Sequence, residues 1–117
     1  MARSEQGLGT ALALCMSGVL LTTGYVVAGV VAMAATQHRA AAAADLSALA
    51  GAGAHQERRP ACAAADKVAV ANGARLVSCD DDAGVVTVEV AAESPPLLGR
   101  RWESIRTARA GPAEVVR

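Results

Sequence analysis

The hydrophobic and polar positions divide the chain into one long apolar run and a shorter, mixed remainder. Leu8 to Thr36 reads LGTALALCMSGVLLTTGYVVAGVVAMAAT and carries no charged side chain over 29 residues; the uncharged window reaches from Gln6 to Gln37. A helix rises about 1.5 Å per residue and the hydrocarbon core of a bilayer is about 30 Å thick, so about 20 such residues suffice to cross. In lipid the backbone must satisfy its own N–H and C=O groups, which predicts a helix. Glycines and threonines in the run fit this, glycine being frequent in membrane helices. Met1 to Gly7 forms a short polar leader, with Gly7 at the boundary.

Beyond His38 and Arg39 the helical pattern continues through AAAAADLSALAGAGA (Ala40 to Ala54). Alanine and leucine are strong helix formers. Leu46, Leu49 and Ala50 share a face by their i, i+3, i+4 spacing, with Asp45 and Ser47 beside it. Gly51 and Gly53 weaken the last turn. The expectation is one helix from about residue 7 to about residue 53, about 70 Å long, whose excess over the bilayer stands out as a stalk.

The remainder alternates shorter signals. His55 to Pro60 reads as a polar linker. Pro60 suits the start of a second helix, which runs from Ala61 to Asn72 with Cys62, Ala65, Val68 and Ala69 on its apolar face. Gly73 supplies the stop. Arg75 to Cys79 is a short strand, Asp80 to Gly84 a turn, and Val85 to Ala91 the strongest strand, with Val86, Val88 and Val90 on one face and Thr87 and Glu89 on the other. Pro95 and Pro96 end it, and Leu97 to Arg101 is a loop. Trp102 to Ala110 fits a third strand better than a helix, because an isolated hairpin is rarely stable. Gly111-Pro112 closes the ordered part, and residues 113–117 form a tail.

Composition sharpens the picture in two ways. The chain has 117 residues, no Phe, one Trp and one Tyr. Without the apolar run and its leader about 80 residues remain, a size at which a domain buries only about 60% of its unfolded surface. An alanine-rich domain of that size needs a staple, a partner or the membrane. Eleven basic and eleven acidic residues cancel, so no nucleic-acid surface is indicated. Of the three cysteines, Cys15 lies in the apolar run. Cys62 and Cys79 are a plausible disulfide pair if their part of the chain is exported. That bond would clip helix to sheet across an 18-residue loop, worth about 3 kcal/mol in the chain-entropy model; the alternative is two reduced thiols.

Candidate chemistry is sparse. There is no G-x-S-x-G, phosphate loop or H-E-x-x-H, so no catalytic, cofactor-binding or metal residue is assigned. His55, Cys62 and Cys79 lack the paired spacing of a zinc site. His55 reads as solvated, Asp80 to Asp82 as a solvated acidic loop, and Arg100, Arg101, Arg106 and Arg109 as a basic strand face that could also touch anionic lipid. Ala32-Met33-Ala34 offers a signal-peptidase site that would release the chain from Ala35.

Three stretches together resemble the TadE/TadG-like (Flp/Tad pilus-assembly) family: Gly7 before the apolar run, the junction HRAAAAADLSALAGA (His38 to Ala52), and ACAAADKVAVANGARLVSC (Ala61 to Cys79). The closing TARAGP (Thr107 to Pro112) also fits. More narrowly, the chain looks like the short actinobacterial TadE-like proteins encoded near secretion and helicase genes. The resemblance implies a pseudopilin-like subunit of a pilus or type II/IV-like secretion apparatus. It implies a single-pass helix in the cell membrane, a cytoplasmic N-terminus, and partners among membrane lipid and other TadE-like or pilin subunits. It also implies peptidase cutting between Gly7 and Leu8. The glutamate that the family usually carries at the fifth position after the cut is Leu12 here. Positive charge nearly ties between the flanks of the run, with Arg3 on one side and His38 and Arg39 on the other. Orientation therefore rests on the resemblance and on the cysteine pair.

The expected fold is α+β: a long transmembrane helix continuing into a stalk, then a short helix packed on a small antiparallel sheet of two or three strands. The expected organisation is a leader at 1–7, helix and stalk at 8–54, a linker at 55–60, an extracytoplasmic domain at 61–112 and a tail at 113–117. The expected function is non-enzymatic assembly through helix packing and domain contacts, with no small-molecule substrate. The alternative is a small secreted binding protein released after Ala34.

Overall fold

The computed structural model describes residues 2–96 and 99–112; the tail expected at 113–117 and Leu97 and Leu98 of the expected loop lie outside the described residues. The elements are α1 (Ala2–Gln56), α2 (Ala61–Ala71), β1 (Arg75–Asp82), β2 (Val85–Glu93) and β3 (Glu103–Ala110). The chain forms two compact units, Met1–Ala32 and Met33–Arg117. The first is a helix throughout its described residues. The second is an α+β domain with a three-stranded antiparallel sheet in the order β1-β2-β3.

The core of the second unit is built almost wholly from valine and alanine. On β2 the period-two alternation places Val86, Val88, Val90 and Ala92 on one face, all fully buried or nearly so. Register sets Leu76 and Cys79 of β1 beside Val90 and Val88, and Ala108 and Ala110 of β3 beside Val88 and Val86. Against this face lies a stripe of small residues from the last third of α1. Ala40, Ala43, Ala44, Ala48 and Ala52 share one cluster with the valines, and Ser47 and Gly51 are buried between them. Their i, i+3, i+4, i+7 spacing is that of one helix face.

This revises the expected stalk and domain boundary. Residues 40–54 are the central helix of the domain rather than a free extension, and the compact unit starts at Met33 rather than at Ala61. The buried face is the alanine face: Leu46 and Leu49, expected to share the apolar face, keep 46% and 62% of their surface exposed. The physical reason is closeness. At Gly51 an added Cβ would stand 2.8 Å from Val86 Cγ1 and 3.3 Å from the Ala61 carbonyl oxygen. Leucines on that face could not approach the strand as the glycine and alanines do.

The remaining elements follow the local signals with shifted ends. Pro60 is the N-cap of α2, and Asn72 caps its far end before Gly73 at φ 73°. Ala61, Ala65 and Ala69 are the buried face of α2, with Cys62 half-buried beside them. The acidic stretch expected as a turn is strand through Asp82, and the turn is only Ala83-Gly84, both at positive φ (52° and 93°). Two consecutive residues at positive φ are what a two-residue type I′ hairpin requires. A side chain assists it: the Gly84 N–H donates to Asp81 Oδ1 at 3.1 Å. The third element is a strand, as its need for a partner suggested, and Ser94 and Trp102 extend its ladder: the Ser94 N–H donates to the Trp102 carbonyl at 2.7 Å, and the Trp102 N–H to Ser94 Oγ at 2.9 Å.

One core group is imperfect. Ser47 Oγ is fully buried and has no hydrogen-bond partner. Burying an unpaired hydroxyl costs about 1–3 kcal/mol on mutational scales. Ser47→Ala keeps the small volume that the close packing needs and improves helix propensity. It is expected to stabilise the domain by about 1 kcal/mol, read as a higher urea midpoint of the full-length protein in detergent; a lower midpoint would show that the hydroxyl has a structural role.

Candidate functional site

The surface with the clearest physical demand is that of α1 before the domain begins. From Leu8 to Val31 every leucine and valine is exposed, as are Met16 and Tyr25. Leu8, Leu12, Leu14, Val19, Leu20 and Leu21 all keep about 60% or more of their surface, as expected of a helix that is apolar around its whole circumference. Such a helix needs an apolar surround. The segment is long and apolar enough to cross a membrane.

Four of its serine and threonine hydroxyls are satisfied without water. Thr10, Ser17, Thr22 and Thr23 each donate to the carbonyl four residues back (Gln6, Ala13, Gly18 and Val19) at 2.7–3.0 Å. That is the arrangement a polar side chain needs where lipid offers no partner. Cys15 is a free, exposed thiol. It borders a shallow groove with Gly18, Val19, Thr22 and Thr23, where small side chains leave the helix backbone approachable.

The residues singled out from the sequence fall into separate places. Gly7 and Leu8 are helical and exposed, with nothing within 4 Å of a Cβ built at Gly7. Cys62 and Cys79 are bonded to each other, with Cα atoms 5.8 Å apart, and tie the first turn of α2 to the middle of β1. His55 is not simply solvated. Its Nδ1 pairs with Asp81 Oδ2 at 2.8 Å, and its ring lies 3.2 Å from where a Cβ on Gly84 would be. The end of α1 is thereby latched to the hairpin turn. Asp81, in turn, spends one carboxylate oxygen on His55 and the other on the Gly84 N–H. Reading the acidic run as one solvated loop missed this division of labour. The usable signal was the alternation of Asp80, Asp81 and Asp82 across a strand, which sends the middle one to the helix side.

The outer sheet face carries a second latch. Arg75 of β1, opposite Ala91 of β2, pairs diagonally with Glu103 of β3, which lies opposite Glu93. Both are well exposed, so the pair adds little stability. The clefts at the two ends of the sheet are open and shallow; one is lined by Asp82, Val85, Arg109 and Pro112, the other by Arg75, Ala91, Glu93 and Glu103. Among the described residues no group of three or more His, Cys, Asp or Glu side chains is arranged to hold a metal ion.

Comparison with known proteins returns no matching family model, no matching curated protein and no matching solved structure.

Proposed function

We propose that the chain is a non-enzymatic, membrane-anchored, pseudopilin-like subunit of a Tad/Flp-type pilus or a type II/IV-like secretion apparatus, with its N-terminus cytoplasmic and its domain outside. One observation carries this reading: a single helix is apolar and exposed over its first part and then becomes the core helix of a disulfide-clipped α+β domain. A helix of this kind inserts its exposed part in lipid, packs there with other helices, and presents its domain as a contact surface. The oxidised Cys62–Cys79 pair supports an extracytoplasmic domain, since disulfides persist in oxidising compartments. The resemblance of the apolar run, the alanine-rich junction and the cysteine-bearing segment to TadE/TadG-like proteins supports a subunit role in such a machine.

A second reading has one observation in its favour. The compact domain begins at Met33 and its first buried residue is Thr36, so release after Ala34 would leave the whole valine–alanine core in the freed product. Intact mass of the protein from membrane and culture-supernatant fractions, with and without reduction, separates the two. A membrane species beginning at Met1 or Leu8, and gaining the mass of two hydrogen atoms on reduction, is the expected result. A supernatant species beginning at Ala35 would replace the subunit with a secreted binding protein.

A further inference from the structure

We infer that the end of the domain bearing Arg39, Arg100, Arg101 and Trp102 docks on the anionic headgroups of the bilayer that carries the chain, an inference that rests on the membrane-anchored reading above. Geometry within the domain gathers these residues at one end. The Arg39 side chain packs against Gly73, its Cδ 3.9 Å from where a Cβ there would stand. Gly73 leads into Arg75 at the start of β1, and Arg75 reaches Glu103. Glu93 pairs in register with Glu103, and Ser94 with Trp102. At the opposite end His55 meets Asp81 and the Gly84 turn. The chain therefore runs along the sheet from Arg39 to His55, about 24 Å of helix beside about 26 Å of β2.

Chain connectivity then decides which end meets lipid. The uncharged window closes at Gln37, and Arg39 follows two helical residues later, about 3 Å along the axis. A chain leaving the hydrocarbon at Gln37 carries Arg39 into the headgroups, and the residues level with Arg39 in the domain come with it.

Their chemistry suits that position. This end holds Arg39, Arg75, Arg100 and Arg101 against Glu93 and Glu103. The far end has Glu57, Asp80, Asp81 and Asp82 against Arg58, Arg59 and Arg109. The domain is thus polarised, with its cationic excess at the lipid end. Each arginine near an anionic leaflet favours the docked state about fivefold, and Arg100 and Arg101 together about 30-fold. Trp102, the single tryptophan of the chain, keeps 43% of its surface exposed there. It is held by two hydrogen bonds to Ser94 on the sheet rather than on a loose loop. Tryptophan is enriched at the membrane–water interface because its ring is apolar and its N–H polar.

The lone tryptophan is also the probe. The full-length protein is reconstituted in vesicles of phosphatidylcholine alone and of phosphatidylcholine with about one third phosphatidylglycerol, and Trp102 emission and its quenching by brominated acyl chains are recorded. The expected result is blue-shifted, bromine-quenched emission in the anionic vesicles, weakened in pure phosphatidylcholine. Raising the salt to ~1 M, where the Debye length is about 3 Å, should reverse it, as should R100E/R101E. The salt arm uses the unaltered chain, so a folding defect in the variant cannot mimic the outcome. Vesicle-bound protein that resists alkaline extraction but shows the same emission in both lipids would overturn the docking and leave the span standing. Protein washed off at alkaline pH would overturn the span and the docking with it.

Discussion

Gly51→Val is expected to destabilise the domain by about 3 kcal/mol or more, the upper part of the range for overpacking a well-filled core. The site has no room: a Cβ there already stands 2.8 Å from Val86 Cγ1 and 3.3 Å from the Ala61 carbonyl oxygen. Neither neighbour can give way cheaply. Val86 is a stiff, β-branched side chain with no exposed surface, and the Ala61 carbonyl belongs to the backbone at the start of α2. Relief needs α1 to move off the sheet, which opens the contacts of Ala48 and Ala52 with the same valines. Gly53, two residues on, is the control. It is helical and exposed, with nothing within 4 Å of an added Cβ, so Gly53→Ala is expected to stabilise by about 1 kcal/mol through helix propensity alone. Urea denaturation of the full-length protein in detergent, followed by Trp102 fluorescence, measures both. Equal effects at the two glycines would mean that α1 does not rest on β2 as described.

The second large effect is expected from the disulfide. C62A/C79A should lower stability by about 3 kcal/mol, the chain-entropy value for a loop of this length. Its weight comes from how little else holds α2. The buried face of that helix is Ala61, Ala65 and Ala69, and three methyl groups at about 0.8 kcal/mol each contribute about 2–3 kcal/mol. Removing the bond removes about half of what fixes α2 to the sheet. For a domain of this size each 1 kcal/mol shifts the melting temperature by about 4–8 °C, so the double variant should melt roughly 12–24 °C lower. Amide exchange in α2 should rise more than in β2. A loss below about 1 kcal/mol would show that the reduced ensemble is already constrained, and with it that the alanine contacts suffice.

Local pattern carried much of the architecture. The valine alternation from Val86 to Val90 and the lone glycine after Asn72 located β2 and the end of α2, because each is set by a short-range rule: side chains alternate across a strand, and a left-handed C-cap favours glycine. The need of a hairpin for a third strand pointed to β3. Cys62 and Cys79 were legible only as a plausible pair; packing of α2 on β1 is what brings them together. The acidic turn was not legible. Three consecutive aspartates look like solvated loop by propensity, but a strand takes them when its partner and a histidine supply the reason, and β propensity is weak against such context.

What the sequence by itself determined is the uncharged apolar run and its helical state, since no arrangement elsewhere in the chain can supply charge or backbone partners to those residues. It also determined the order of helix, helix and β-hairpin, while the third strand was decided by its pairing with β2. Which face of residues 36–54 is buried was decided by tertiary structure alone. From Ala40 to Ala54 the stretch is mostly alanine and glycine, so the two sides differ little in hydrophobicity, and the large apolar side chains, Leu46 and Leu49, point to the side left exposed. Selection of the small face is a matter of volume: β2 presents valines, and alanine, glycine and serine let the helix come within contact of them. The same long-range packing decided that the domain starts at Met33. It also brought His55 to Asp81 and Arg75 to Glu103, pairs separated by 26 and 28 residues that no local periodicity connects.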